Sequence, residues 1–150
     1  MSVLNGHIRR ILHVEGQPSR CVPYRRGVKE SGRADEVAVT SNGEEALDYL
    51  YGRGKYFGAP RPDLILLDLN IPKKGGPEVL AQVKNDAALK HIPVVVLTSS
   101  SAPLDISQAY GSHANCYVTK PTDLDELFRV VGLIEAFWLD AVKLPAGRRD

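Results

Sequence analysis

The feature that most constrains this chain is the uninterrupted apolar run Leu-Ile-Leu-Leu at residues 64–67, which lies between turn-forming flanks. No polar residue alternates through it, and this is typical of a strand buried on both faces of a parallel sheet. The run ends on Asp68, so a carboxylate follows the carboxyl end of a central strand, where open α/β sheets bind their ligands. Taken alone, Asp68 is equally compatible with a helix cap or a turn.

The rest of the chain alternates between apolar strand patterns and helical patterns. The predicted strands cover residues 8–15, 36–40, 64–67, 92–98 and 115–119. The predicted helices are 18–32, one opened by a capping box at 41–44, one with Pro77 in its first turn, 104–110, and a long last helix capped by 122–125. This alternation predicts an α/β fold with a five-stranded, doubly wound parallel sheet, right-handed crossovers and helices on both faces.

Composition limits the classes of function. We expect a single domain over residues 1–145 with an extended C-terminal helix or arm, followed by a tail at 146–150. A net charge of +1 gives no sign of a nucleic-acid or acidic-membrane partner. Cys21 and Cys116 form no CxxC pair, Arg9 and Arg10 interrupt any signal-peptide core, and no apolar run reaches membrane-spanning length. These features predict a cytoplasmic protein.

Polar side chains follow four of the predicted strands. Glu15, Asp68, Thr98 and Lys120 each come at the end of an apolar run, so they should meet at one edge of the sheet. Two carboxylates, a hydroxyl and an ammonium suit a phosphoryl group together with Mg²⁺, which prefers oxygen ligands. A carboxylate can attack phosphorus, while the lysine and the hydroxyl bind the non-bridging oxygens.

The motifs around these residues resemble the receiver domain of bacterial two-component response regulators. They are Ile11-Leu-His-Val-Glu15, Leu66-Leu-Asp-Leu-Asn-Ile-Pro72, Val96-Leu-Thr-Ser99 and Tyr117-Val-Thr-Lys-Pro121. The loop at 52–60 and the segment 137–145 look most like the single-domain regulators paired with phytochrome-type sensor histidine kinases. The resemblance implies a flavodoxin-like fold with strand order 2-1-3-4-5.

The resemblance also implies a role for each site residue. Asp68 would accept a phosphoryl group from a kinase histidine, and Thr98 and Lys120 would bind the phosphoryl oxygens. Glu15, Asp68 and the backbone carbonyl of Asn70 would hold Mg²⁺. The protein would be a phospho-acceptor and not an enzyme, with at most Mg²⁺-dependent self-phosphorylation and autodephosphorylation.

Two further residues match the conformational switch of the family. Tyr117 stands at the position of the switch aromatic, and Lys120-Pro121 at the position of a cis peptide bond. A cis X-Pro bond beside a site would fit the general rule that such bonds mark tight functional turns.

One position departs from the family pattern. Receivers carry two adjacent acids after the first strand, and here the pair is Glu15-Gly16, so one expected metal ligand is absent and Mg²⁺ binding should be weaker. This keeps open a degenerate receiver that only binds partners. An aspartyl phosphatase needs a second acid at the position of Asn70, and a flavodoxin needs a phosphate-binding Ser/Thr/Gly loop after Val14, which is missing.

The last helix predicts a homodimer. One stripe at helical spacing should cover the sheet: Leu124, Leu127, Val131, Ile134 and Trp138. A second apolar set would remain on another side: Val130, Leu133, Phe137 and Val142. Because soluble monomers rarely expose a contiguous apolar patch of this kind, we expect two chains to pair through this helix and the arm that follows it.

Overall fold

A computed structural model describes residues 9–16 and 36–145 of the chain. The helix predicted at 18–32, Cys21 and the tail at 146–150 lie outside the described residues. Five strands form one parallel sheet: β1 Arg10–Val14, β2 Glu36–Thr40, β3 Leu64–Leu67, β4 Val94–Thr98 and β5 Cys116–Thr119. Their order is β2-β1-β3-β4-β5, which confirms the predicted fold class and topology.

Helices occupy the connections after β2, β3 and β4 and continue the chain after β5. They are α1 Gly43–Tyr51, α2 Gly76–Asn85, α3 Pro103–Gly111 and α4 Leu124–Glu135, and α4 continues into a π-helical turn, Ala136–Ala141. A short 3₁₀ turn, Gly54–Tyr56, interrupts the loop before β3. Within residues 9–16 and 36–145, no helix has both the length and the hydrophobicity needed to span a bilayer.

The central strands are buried on both faces, which explains their unbroken apolar sequence. Successive side chains of a strand point to opposite faces, so Ile65 and Leu67 pack in one core with α1 and α2, while Leu64 and Leu66 pack in the other with α4. Val131, Ile134 and Leu139 supply the α4 side of that second core. The sheet is therefore a rigid layer whose carboxyl edge holds loops in fixed positions.

Two predicted helix caps are displaced by one residue. Asn42, not Ser41, is the N-cap of α1: its side chain accepts from the Glu45 amide at 2.8 Å, and Glu45 Oε1 accepts from the Ser41 amide at 2.8 Å. Likewise Asp123, not Thr122, caps α4 by accepting from the Glu126 amide at 3.0 Å. Each segment offers two adjacent capping residues, and the tertiary position of the helix selects one of them.

The predicted cis peptide bond is wrong. Among the described residues no peptide bond is cis, so Lys120 and Pro121 are joined by a trans bond. Cis and trans X-Pro bonds differ by only ~0.5–1 kcal/mol, so tertiary contacts decide between them. Here the Lys120 amide donates to the Thr98 carbonyl at 2.7 Å and continues the β4–β5 pairing by one residue.

The burial of α4 differs in part from the predicted stripe. Leu124 was expected to cover the sheet but is exposed at the start of the helix, and Val130 packs against the second core although it was assigned to the outer side. The π-helical turn changes the angular spacing after Glu135, so Leu139 is buried and Trp138 only partly. Leu133 and Phe137 remain 57% and 53% exposed, as predicted.

Candidate functional site

The structure brings together the four polar residues that follow strands in the sequence. Glu15 follows β1, Asp68 follows β3, Thr98 ends β4 and Lys120 follows β5. Because these strands are parallel and adjacent in the sheet, their carboxyl ends lie along one edge. Hydrogen bonds and ion pairs then join the four side chains into a single cluster.

Asp68 is the centre of this cluster. Its Oδ1 accepts from the Thr98 hydroxyl at 2.9 Å and from the Asn70 amide at 3.0 Å. Its Oδ2 accepts from Lys120 Nζ at 3.2 Å. A carboxylate oxygen has two lone-pair positions, so Oδ1 uses both, whereas Oδ2 has one contact among the described residues. Oδ2 is therefore the oxygen better placed to act as a nucleophile.

Lys120 links the two carboxylates of the site. Its ammonium also donates to Glu15 Oε2, and the Glu15 side chain is only 1% exposed. One cation between two buried anions leaves the cluster with a formal charge of −1. Such an arrangement stays stable only while each charge keeps its partner, because an unpaired buried charge costs several kcal/mol.

The surroundings keep Asp68 ionised. Burial by itself raises the pKa of Asp68, but the Asn70 amide, the positive charge of Lys120 and the Thr98 hydroxyl together hold it below its ordinary value. A carboxyl group whose folded pKa is depressed stabilises the fold above its unfolded pKa, and this contribution is lost as the pH falls through the folded value. At neutral pH Asp68 is therefore a carboxylate, the form required of a nucleophile.

The donor set fits a hard divalent cation, with one ligand fewer than receivers have. Glu15 and Asp68 supply carboxylates, and the Asn70 carbonyl oxygen lies 3.3 Å from the point where a Cβ on Gly16 would stand. Oxygen ligands of this kind suit Mg²⁺, which completes its octahedron with water. No group of three or more His, Cys, Asp or Glu side chains within 9–16 and 36–145 is placed to hold a metal. Gly16 accounts for the third acid that is lacking.

Comparison with known proteins decides the family. Residues 11–132 match the family model described as the response regulator receiver domain. That match includes all the residues of the cluster and runs from β1 through most of α4. The chain belongs to the response regulator receiver family. It is a response regulator, and this family is one of phosphorylation-accepting signalling receivers rather than of enzymes.

Relatives of similar length support the same family assignment. The chain is 46% identical over 136 residues to Response regulator Rcp1 of Synechocystis sp., which covers 91% of this chain and 92% of that protein. It matches the crystal structure of the phosphorylated cyanobacterial phytochrome response regulator RcpA with a TM-score of 0.90 and 45% identity, covering 93% of this chain and 100% of that one. The Mn²⁺-bound form of Rcp1 matches with a TM-score of 0.87 and 45% identity over 92% and 99% of the two chains.

The two predicted switch residues of this receiver lie beside the cluster of Glu15, Asp68, Thr98 and Lys120, not in it. The Tyr117 hydroxyl donates to the Ser100 carbonyl at 2.8 Å, so this ring is tied to the loop that follows Thr98. Pro121 directly follows Lys120 and is joined to it by a trans peptide bond. The Tyr117 hydroxyl is therefore connected to Asp68 through the β4–α3 loop that follows Thr98.

Sequence reasoning missed the glycines that position the loop at 69–75, between Asp68 and α2. A Cβ on Gly76 would lie 2.4 Å from Leu69 Cα and 2.6 Å from the Asp68 carbonyl oxygen, so α2 begins directly on the backbone of these two residues. A Cβ on Gly43 would lie 1.8 Å from the Lys74 carbonyl oxygen. The Gly43 amide donates to the Pro72 carbonyl at 3.2 Å. The sequence around Gly76 gives no local sign of this role, which depends on long-range contacts.

Proposed function

We propose that Asp68 is the residue of this receiver that accepts the phosphoryl group. The observation that carries the proposal is its carboxylate, ionised at the sheet edge with Thr98 and Lys120 already within 2.9 and 3.2 Å of its oxygens. Oδ2 attacks the phosphorus of a phosphohistidine, the P–N bond breaks, and the imidazole leaves with the bonding electrons. The Thr98 hydroxyl and the Lys120 ammonium then bind the non-bridging oxygens of the phosphoryl group.

The cation in this proposal is Mg²⁺, held by Glu15, Asp68 and the Asn70 carbonyl with water in the remaining positions. When bound, it neutralises negative charge that accumulates between the carboxylates and the phosphoryl oxygens. Lys120 must share its two carboxylates with the cation, and Gly16 provides no third one. We therefore expect weaker metal binding than in a receiver with two adjacent acids.

We expect Gly16→Asp to tighten Mg²⁺ binding about five-fold, a net gain of ~1 kcal/mol after dehydration offsets most of the Coulomb attraction. Without metal the variant should be less stable than the parent. Its Cβ would stand 3.2 Å from Pro72 Cδ and 3.3 Å from the Asn70 carbonyl oxygen, and a third carboxylate would repel Glu15 and Asp68. Thermal melts across a Mg²⁺ series measure both effects. If the parent and the variant gain stability equally with Mg²⁺, Gly16 does not limit the metal site.

A degenerate receiver is the second candidate, and Gly16 is the observation that favours it. In that case the Glu15–Lys120–Asp68 cluster would be a structural ion network, and the protein would bind its partners in one state only. Titration with Mg²⁺ and beryllofluoride, a phosphoryl analogue, separates the two candidates. A receiver that accepts phosphate binds the analogue in a Mg²⁺-dependent way and loses that binding in Asp68→Asn. A degenerate receiver binds it in neither protein.

The partner we propose is a sensor histidine kinase of the phytochrome type. Support comes from the relatives RcpA and Rcp1, of which RcpA is named as a phytochrome response regulator. The test is phosphotransfer from each autophosphorylated histidine kinase of the source cell to the wild-type protein and to Asp68→Asn. A phytochrome-type kinase should be the fastest donor to the wild type and should transfer nothing to the variant. Faster transfer from a kinase of another class would contradict the partner assignment.

We also propose that residues 1–145 form one receiver domain that pairs with a second copy through α4 and the following arm. Leu133 and Phe137 are more than half exposed on the same helix, and Phe137 contacts Trp138 edge-to-face at 5.2 Å between ring centroids. Large apolar side chains grouped in this way are typical of an interface. The signal would then be passed on through protein–protein contacts.

Phe137→Glu should convert the dimer to a monomer, because two carboxylates would enter an apolar interface without partners. Light scattering measures the change across a concentration series. Phe57→Glu is the matched control: Phe57 is 89% exposed in the loop before β3, remote in sequence from α4. A dimer that survives Phe137→Glu but dissociates with Phe57→Glu would place the interface elsewhere.

A further inference from the structure

Helix α3 packs on the rest of the described chain with little buried apolar surface. Ala109 is the one residue of this helix that is buried, so its apolar packing is slight. Its N-cap, Ala102, has no side chain that can accept a hydrogen bond. An element with so little buried apolar surface depends on its hydrogen bonds for its position.

Those hydrogen bonds converge on Ser100, in the loop between Thr98 and α3. The Ser100 hydroxyl donates to Asp105 Oδ2 at 2.5 Å and accepts from the Ala102 amide at 3.3 Å. The Ser100 carbonyl accepts from the Tyr117 hydroxyl at 2.8 Å. We name the contacts among Ser100, Asp105 and Tyr117 the Ser100 latch.

The Ser100 latch is connected to the acceptor by a short stretch of backbone. Thr98 donates its hydroxyl to Asp68 Oδ1 and lies two residues before Ser100. At the other end of α3, the Tyr110 hydroxyl accepts from the Tyr117 amide at 3.2 Å. The first and last turns of α3 are therefore both tied to Tyr117, and through Ser100 the first turn is tied to the loop that follows Thr98.

We infer that Asp105 is a positioning residue for the phosphoryl-acceptor reaction. By fixing Ser100 it holds the β4–α3 loop where the Thr98 hydroxyl reaches Asp68 and where Tyr117 donates to the Ser100 carbonyl. Without this carboxylate the loop samples other conformations, and Thr98 is aligned with Asp68 for a smaller fraction of the time. The inference rests on the proposed function of Asp68 and adds the group that aligns its hydroxyl donor.

The test is the rate of labelling by acetyl phosphate with saturating Mg²⁺. Asp105→Ala should slow labelling about five-fold, the rate equivalent of one net hydrogen bond. Ser100→Ala should slow labelling by a similar factor. Asp105→Asn, whose amide oxygen still accepts a hydrogen bond, should label within about two-fold of the wild-type rate. The matched control is Asp125→Ala, which removes an exposed carboxylate from the first turn of α4 and should leave the rate unchanged.

A double-variant cycle distinguishes positioning from a general loss of structure. If Asp105 acts through Thr98, Thr98→Ala/Asp105→Ala labels as slowly as Thr98→Ala alone. In fluorotyrosine-labelled protein, the ¹⁹F signal of Tyr117 should move in Asp105→Ala and stay in place in Asp125→Ala. An unchanged labelling rate in Asp105→Ala, or the same slowing in the Thr98→Ala background, would overturn this inference alone. Absence of any labelling of the wild type would overturn the proposed function and this inference with it.

Discussion

Gly43→Ala should lower the free energy of unfolding by about 3 kcal/mol or more, at the upper end of the usual cost of overpacking. The new methyl group would stand 1.8 Å from the Lys74 carbonyl oxygen and 2.8 Å from its carbonyl carbon, and backbone atoms cannot rotate away as a side chain can. For a chain of 150 residues this corresponds to a fall of roughly 10 °C in Tm. Differential scanning calorimetry at constant Mg²⁺ measures it.

The loop that meets Gly43 has little freedom to yield. Lys73 and Lys74 have φ values of 48° and 67°, a left-handed conformation that costs an L residue roughly 1–2 kcal/mol each. Gly132→Ala is the matched control: a Cβ there meets nothing within 4 Å, so the helix should gain about 0.5–1 kcal/mol. If Gly43→Ala has the same Tm as the wild type, the loop at 69–75 is not packed on α1 as described.

Lys120→Met should cost about 3–5 kcal/mol of stability at neutral pH, because it leaves two buried carboxylates without their cation. The Glu15 and Asp68 side chains are 1% and 6% exposed, so water cannot replace the ammonium. Lys120→Arg, which keeps a positive charge, should lose less stability than Lys120→Met. Urea denaturation of the three proteins gives the free energies of unfolding.

The stability that Lys120→Met loses should depend on pH. In the wild type the pKa of Asp68 is depressed, so its contribution to stability is present above the unfolded pKa of about 3.9 and is lost as the pH falls. In Lys120→Met the two carboxylates repel each other, and the pair takes up a proton at a raised apparent pKa. The deficit of the variant should therefore shrink between pH 8 and pH 5. A deficit that grows on acidification would contradict the ion cluster.

The sheet and the cluster could be predicted from sequence because they depend on local patterns. The apolar runs that became β3 and β4 identify strands buried on both faces, and parallel strands bring their carboxyl ends to one edge. Asp68 and Thr98 should therefore lie on that edge, and the strand order that the receiver resemblance implies, which the structure confirms, makes them neighbours. Tyr117 was likewise placed correctly on β5, although its hydroxyl contact with Ser100 could not be anticipated.

What sequence did not predict depends on contacts between distant segments. In the loop at 69–75 the left-handed residues are Lys73 and Lys74, whereas Gly75 has φ −64°. The following Gly76 is needed because a Cβ there would collide with Leu69 and Asp68, not because of backbone strain. The need for Gly43 arises from a loop some 30 residues away. Ser100 donates to Asp105, but the sequence alone shows Asp105 only as a polar residue in a predicted helix. The choice of a trans bond before Pro121 likewise depends on the surrounding packing and not on the local sequence.

Asp68 should accept the phosphoryl group, and intact-mass measurement after treatment with acetyl phosphate and Mg²⁺ is the direct test. The wild type should gain one phosphoryl group per chain, on an alkali-labile acyl phosphate that maps to the peptide containing Asp68. Asp68→Asn should gain none. Asp63→Asn, at the other end of β3, where Asp63 accepts from the Arg10 amide at 2.9 Å, should be labelled like the wild type. A phosphoryl group that persists in Asp68→Asn would contradict the account.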